Sequence, residues 1–346
     1  MKKRQLEKSI DLRLNLKRFD GADSGTGIDE NRTTDAGMSV EMKEFYSKVL
    51  IEEAGPNLIH NQFGVKRPIP KNNGKTISFR KYDSLPKAMK PLEEGVTPKG
   101  NKMNITEKST TVNQYGDWIG LTDILQITTI DNNVVEATKL NGQQAGLTLD
   151  SVTRESLAGG TNVYYAPKSD GTAVLTRKNL DASCKITLEL LIDVAAALKT
   201  AHAPKIDGSY VSIVHPYVAA DIMKLEGWQD WQKYTTAENL FEGEIGKIAG
   251  IRFVETSEAK IWKDDTCPDG LAVFGTLVLG GNAYGVTEIE GGGLKHIIKQ
   301  LGYGDDPLNQ RSSVGWKATS AALRLIEQYM MRIESVTSKS AVVDAN

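Results

Sequence analysis

The sequence predicts an α+β fold, and three observations carry the prediction. Residues 186–290 alternate helical and strand-like stretches. The amphipathic run T-L-E-L-L-I-D-V-A-A-A-L-K is followed by the short apolar phrases Y-V-S-I-V, I-R-F-V-E-T and L-A-V-F-G-T-L-V-L. A proline-free segment over 133–157 carries an imperfect helical stripe. A polar excursion over 65–112 has strand-like flanks around a centre broken by Pro86, Pro91, Gly95, Pro98 and Gly100.

Along the chain, residues 1–36 read as a flexible arm. After Phe19 comes D-G-A-D-S-G-T-G-I-D-E-N-R-T-T-D-A-G, which has almost nothing to bury and cannot offset the entropy of ordering. Lys2, Lys3, Arg4, Lys8, Arg13, Lys17 and Arg18 make the start basic. They are either a soluble tail or a surface facing packaged nucleic acid, where lysines screen phosphate without reading sequence. Leu12, Leu14, Leu16 and Phe19 alternate with polar residues, a pattern suited to strand addition on a neighbour. From Ser39, Met42, Phe45, Tyr46, Val49 and Leu50 share one helical face, and Gly55-Pro56 stops that helix.

The flanks of the 65–112 excursion are rich in Thr, Ile, Val, Phe and Tyr, which suit strands. Its middle is too polar for a core, and a two-stranded ribbon is marginal alone in water. The excursion is therefore expected to rest on a neighbouring copy of the chain. Y-G-D-W-I-G-L-T-D-I-L-Q-I-T then returns to apolar content. Over 133–157 the stripe runs through Val134, Ala137, Leu140, Ala145, Leu149 and Val152. Gly142 and Gly146 weaken this helix by about 1 kcal/mol each relative to Ala. Small residues four apart also allow another element to approach closely, and Gly159-Gly160 ends the helix.

In residues 186–290, Leu188, Leu191, Val194, Ala195 and Leu198 share a helix face. Pro216 stands early in a second helix, where its missing N–H is harmless. Near the C-terminus A-A-L-R-L-I-E-Q-Y-M-M-R-I-E-S-V alternates at Leu323, Leu325, Tyr329, Met331 and Ile333 and reads mostly as strand.

With 346 residues there is room for about two domains. A net charge of -2 excludes a nucleic-acid-binding polycation. Cys184 and Cys267 are too few and too far apart for a disulfide framework, so a reducing cytosol is the simpler setting. The basic start has no apolar run behind it, unlike a secretory signal, and no stretch approaches the ~20 apolar residues of a membrane helix.

The residues hold no recognisable catalytic set. His60, His202, His215 and His296 form no H-E-x-x-H, and neither cysteine has a C-x-x-C partner, so neither a metal nor a cofactor is expected. His215 is expected to shape a strand-to-helix turn. F-E-G-E-I-G-K-I-A-G departs from a phosphate loop in spacing and lacks its Ser or Thr; it reads as a turn into a strand at 251–255. E-G-G-G-L at 290–294 reads as a hinge. The pairs Glu52-Glu53, Glu93-Glu94, Asp264-Asp265 and Asp305-Asp306 read as solvated surface, because adjacent residues do not face one another.

A series of longer phrases points to a family. They are M-S-V-E-M-K-E-F-Y (38–46), K-T-I-S-F-R-K-Y (75–82), P-L-E-E-G-V-T-P (91–98), Q-Y-G-D-W-I-G-L-T-D (114–123), V-H-P-Y (214–217), F-E-G-E-I-G-K-I-A-G-I-R-F-V-E-T (241–256), L-G-G-N-A-Y-G (279–285) and D-P-L-N-Q-R-S-S-V-G-W-K (306–317). In this order the chain resembles the major capsid (coat) proteins of tailed bacteriophages with the Hong Kong 97-type fold, in the branch of coliphage N-four.

The resemblance implies a division of the chain. Residues 1–60 are an N-terminal arm and first helix, and 61–115 an extended E-loop lying over the next subunit. Residues 116–165 are the first part of a peripheral domain with a spine helix. Residues 166–293 are an axial domain of mixed sheet and helices, and 294–346 return to the peripheral domain. It also implies a non-enzymatic shell protein of the virion. Copies form pentamers and hexamers in an icosahedral head around double-stranded DNA, assembled in the host bacterial cytoplasm. The implied partners are other copies, a portal, scaffolding or decoration proteins, and no membrane. Lys87, Lys90, Glu93, Glu94 and Lys99 would contact neighbours from the E-loop. Lys–Asn cross-linking is not carried over, because no partner is identifiable. Alternatives are an encapsulin-like compartment of the same fold and a soluble α/β enzyme. The enzyme would need a pocket pairing His215 with a carboxylate.

Overall fold

The computed structural model describes residues 48–68, 75–82, 85–91, 94–95, 97, 100–128, 132–225, 244–288 and 293–346. The basic arm, Glu93, Lys99, most of the 39–54 helix and residues 290–292 of the hinge lie outside these residues.

The longest element is helix α1 (Asn133–Ala158). The Asn132 side chain accepts a hydrogen bond from the Val135 N–H, and Glu136 stands in the positive first turn. Ala137, Ala145, Leu149 and Leu157 are buried. Leu140 departs from the expected stripe and is exposed, because the intervening face is taken by the two glycines. Residues 48–54 are helical and cross that face. A Cβ on Gly142 would stand 2.9 Å from the Leu50 carbonyl oxygen, and one on Gly146 would stand 2.7 Å from that of Ala54. The helix does not stop cleanly at Gly55-Pro56. A 3-10 turn, Gly55–Asn57, and a helical turn, Ile59–Gln62, continue it.

At its other end α1 is capped by Gly159. Arg324 Nη1 donates to the Ser156 carbonyl, and Arg332 Nη1 donates to the carbonyls of Ala158 and Gly160. Two cations thus sit at the negative end of the helix dipole.

Two further helices are α2 (Leu188–Thr200) and α3 (Pro216–Met223). The strands are β1 (Val65–Arg67), β2 (Thr76–Tyr82), β3 (Ile105–Thr111), β4 (Asn113–Thr122), β5 (Val163–Tyr165), β6 (Tyr210–Val214), β7 (Glu244–Ile248) and β8 (Ile251–Glu255). They continue with β9 (Ile261–Trp262), β10 (Val273–Leu279), β11 (Tyr284–Thr287), β12 (Leu294–Lys299), β13 (Arg311–Ser320), β14 (Ala322–Arg324) and β15 (Met330–Ser335).

The largest sheet runs β5-β15-β10-β6-β8-β7, with β9 beside β10. Its central strands β6 and β10 are buried along their whole length, which is why they read as unbroken apolar runs. Leu191, Val194 and Leu198 of α2 and Val218 and Ile222 of α3 pack with Phe253, Phe274 and Ile333 of this sheet. The C-terminal strand β15 pairs with both β10 and β5, so strands as far apart in sequence as residues 163 and 335 meet in one sheet. The tail is strand, as its alternation predicts, interrupted by a 3-10 turn at Glu327–Tyr329. The smaller sheets are β12-β13-β4 and β1-β11-β14. β1 is not part of the ribbon: it pairs parallel with β11, more than 200 residues away in sequence.

Candidate assembly surfaces

Strands β2 and β3 form an antiparallel ribbon, with Thr76 opposite Thr111 and Tyr82 opposite Ile105. Period-two alternation sends Ile77 and Phe79 to one face, where both are buried. The Phe79 ring fills the space that a side chain at Gly285 would need. The Arg67 guanidinium lies 5.4 Å from the Phe79 ring centre, and its Nη1 donates to the Ser78 carbonyl at 2.7 Å. Lys108 Nζ donates to the Arg324 carbonyl at 3.3 Å. The root of the ribbon therefore packs on its own chain. This corrects the expectation that the whole excursion rests on a neighbour: two apolar side chains on one face suffice to seat the root on β11.

Beyond the root the character changes. Tyr82, Leu85, Met103 and Ile105 are exposed, and Met89 is 81% exposed. Lys87, Lys90 and Glu94 are exposed as well. Among the described residues none of these three enters an ion pair.

The β12-β13-β4 sheet has two unlike faces. Tyr115, Asp117, Ile119 and Leu121 of β4 turn toward α1. There Trp316 Nε1 donates to Gln144 Oε1 at 3.0 Å, Gln144 Nε2 donates to Asp117 Oδ2 at 2.6 Å, and Asn141 Nδ2 donates to the Val314 carbonyl at 3.0 Å. The hydrogen bonds from Gln144 and from the Trp118 N–H hold the Asp117 carboxyl below its usual range. The opposite face carries Trp118, 68% exposed, among Gly116, Gly120 and Gly315. Sequence reading missed this residue as a surface feature. Its signal lies in G-D-W-I-G-L-T, where period two puts Trp118 on the side of the glycines and Ile119 and Leu121 on the other.

Three of the four histidines have a structural account. His215 is the N-cap of α3, its Nδ1 accepting from the Tyr217 N–H at 3.2 Å, which is the strand-to-helix turn expected of it. No described carboxylate meets it. His296 faces Thr138 Oγ1 at 3.3 Å, and His60 is buried against Asp150. Among the described residues no group of His, Cys, Asp and Glu is arranged to hold a metal. No helix there is long and apolar enough to cross a membrane. The E-I-G-K-I part of the suspected phosphate loop is strand β7. It turns through Ala249 and Gly250, both at positive φ, into β8. One acidic pair is not solvated surface: Asp306 is buried and accepts from the Arg311 N–H at 2.7 Å, ordering the entry to β13.

Comparison with known proteins places this arrangement. The model of the phage capsid protein family matches residues 106–324, well over half of the chain. No curated protein matches it. The fold is similar to the capsid of Ralstonia phage GP4, with a TM-score of 0.62, 12% identity, and coverage of 81% of this chain and 88% of that one. It is also similar to the capsid of cyanophage Pam1, with a TM-score of 0.58, 12% identity, and coverage of 92% and 97%. A third similar structure is the acid-stable capsid of Helicobacter pylori bacteriophage KHP30, with a TM-score of 0.56, 10% identity, and coverage of 81% and 90%.

Proposed function

The chain belongs to the phage capsid protein family, and on that premise we propose that its copies join through the β2–β3 ribbon into pentamers and hexamers closing an icosahedral head around double-stranded DNA. That it is a capsid protein of the phage head, a structural component of the virion, follows from the family itself. The ring sizes, the enclosed DNA, the portal and any scaffolding or decoration protein belong to the proposal, as does assembly in the host cytoplasm.

The division of labour proposed is the one implied by resemblance. Residues 61–115 are the E-loop; 116–165 with 294–346 form a peripheral domain around α1, although its strands β5 and β15 lie in the large sheet of the axial domain, 166–293. The basic residues Lys2 to Arg18 face the DNA, where their charge works through counterion release rather than base reading. Lys87, Lys90, Glu93, Glu94 and Lys99 meet neighbouring copies. Single exposed ion pairs contribute under about 1 kcal/mol, but a shell repeats each one at every subunit. The encapsulin-like alternative is not favoured, since the family matched is that of phage capsid proteins.

The observation that carries the reading is the ribbon itself. Its root is fixed on the body by Phe79, while its outer part exposes Leu85, Met89 and Met103. Exposed apolar groups on a slender projection call for a covering partner, and heterologous contacts of this kind generate rings. Deleting residues 84–101 is expected to leave a folded, soluble chain that forms no shells in electron micrographs. Normal shells from that deletion would contradict the proposal.

A further inference from the structure

The outer face of the β12-β13-β4 sheet breaks two habits of stable sheets. Lys295 and Lys317 stand directly opposite one another on neighbouring strands, and both are exposed. Like charges in that register destabilise a sheet, and among the described residues neither enters an ion pair. One row along the same face lies Trp118, with Gly315 opposite it and Ile297 opposite Gly315. The glycines fix where the indole lies. A Cβ on Gly315 would stand 2.9 Å from Trp118 Cβ, and one on Gly120 would stand 3.1 Å from its Cζ3. A groove of about 420 Å³ runs beside the ring, lined in part by Ile297, Lys299 and Lys317. A positioned, exposed tryptophan beside the exposed ammonium groups of Lys295 and Lys317 fits a segment presenting an apolar side chain next to carboxylates.

The chain contains such a segment. P-L-E-E-G at 91–95 sets Leu92 beside Glu93 and Glu94, in the stretch that joins the two strands of the ribbon. A molecule cannot easily bring this segment to its own groove. Only Val112 separates β3 from β4, and its N–H donates to the Lys75 carbonyl at 2.8 Å, so the ribbon ladder continues to the start of the sheet. A reversal needs at least a two-residue turn, so the ribbon leads away from the face that its own β4 helps to build.

We infer that the Trp118 groove is the seat for residues 91–95 of a second copy, with Leu92 against Trp118 and the two glutamates beside Lys295 and Lys317. The inference rests on the assembly reading above and adds to it a named seat and a named occupant.

Two measurements test it. In shells co-assembled from light and heavy-isotope chains, a zero-length carbodiimide couples carboxylates to adjacent amines. Mass spectrometry is expected to find mixed-isotope peptides joining Glu93 or Glu94 to Lys295 or Lys317. Separately, the double variant Lys295→Glu/Lys317→Glu is expected to cut shell yield at least tenfold, as is Glu93→Lys/Glu94→Lys. Combining all four changes is expected to restore most of the yield.

If deletion of 84–101 abolishes shells while both charge-reversed variants assemble at the unmodified yield and no such cross-links form, the seat is wrong and the E-loop reading survives. If the deletion itself assembles, both fall. Shells of the lysine variant that form normally but lose DNA or a second protein would assign the face to that partner and overturn the inference. Should a variant fail to fold, cross-linking of the unmodified shells decides alone: couplings of these lysines only to other carboxylates, or only within one chain, refute it.

Discussion

His60 Nδ1 lies 2.6 Å from Asp150 Oδ2, and neither side chain is more than 1% exposed. Asp150 Oδ1 also accepts from the His60 N–H at 2.7 Å, and the Tyr284 hydroxyl donates to the His60 carbonyl. Beside them Thr153 Oγ1 donates to Asn61 Oδ1 at 2.6 Å. This knot ties the Ile59–Gln62 turn to α1 and β11, and so fixes the segment leading into β1. Burial, with the Asp150 charge nearby, pushes the Tyr284 phenol far above its usual range, so it stays protonated and keeps the O–H that it donates to His60.

Asp150→Ala is expected to destabilise the unassembled chain by about 1–3 kcal/mol, the cost of buried donors left without an acceptor. Asp150→Asn keeps an acceptor oxygen and is expected to cost less. Urea unfolding followed by circular dichroism checks both. An alanine variant as stable as the parent would mean that the knot contributes no net stability.

Gly146→Ala tests the contact between α1 and the helix over 48–54. On an open helix surface alanine would add about 1 kcal/mol of stability. Here its Cβ would press on the Ala54 carbonyl, a backbone atom that cannot rotate aside. Overpacking of this kind costs about 1–3 kcal/mol, so the sign reverses and the melting temperature is expected to fall. A rise in melting temperature would show that the two helices separate readily.

What the sequence made legible was what short-range pattern encodes. The buried strands β6 and β10 stand out as apolar runs, α2 by its 3.6-residue stripe, and the close approach of some other element to the 133–158 helix by Gly142 and Gly146. What it hid depends on distant partners. Nothing near His60 announces Asp150, 90 residues on, and nothing near Val65 announces its parallel pairing with Gly285. Leu140 fits a helical stripe yet faces outward, because the stripe reports only that a face is apolar and not that a partner of the same chain covers it. Of the proposed contact residues, Lys87, Lys90 and Glu94 were visible as charges on a core-less loop. Trp118, Lys295 and Lys317 emerged only once strand register placed them on one face.

Glu334 shows no exposure and is held between two arginines. Arg177 Nε reaches one carboxylate oxygen at 2.7 Å, and Arg332 Nε lies 2.9 Å from the other. The Arg177 guanidinium also stacks 4.1 Å from the Trp262 ring centre. Glu334→Gln would leave two cations partly buried without their counter-charge. Breaking such a group is expected to cost about 3–5 kcal/mol. Lys263→Ala, which removes a pair with the exposed Asp344, is expected to cost under about 1 kcal/mol. Comparing the two melting temperatures checks the contrast; equal losses would contradict it.

Acid sensitivity follows from two histidines kept neutral by the fold. Burial lowers His215 to a pKa of about 4, and burial lowers His296 likewise to about 4, both from 6.5. Between those values the unfolded chain binds more protons than the folded one. The stability they contribute is therefore complete above pH 6.5 and is lost as pH falls toward 4. Unfolding near pH 5 is expected to take up about two protons. Below pH 4 the histidines add no further slope and carboxylates take over. Hydrogen bonds from Ser183 hold Asp181 at about 2, so its share is lost as pH falls from 3.8 through 2. His215→Asn keeps a side-chain acceptor for the Tyr217 N–H and removes one titrating group. The slope of stability against pH between 4 and 6.5 is then expected to fall by about half, measured by denaturant midpoints across a pH series. An unchanged slope would mean that His215 is already free to protonate in the folded chain.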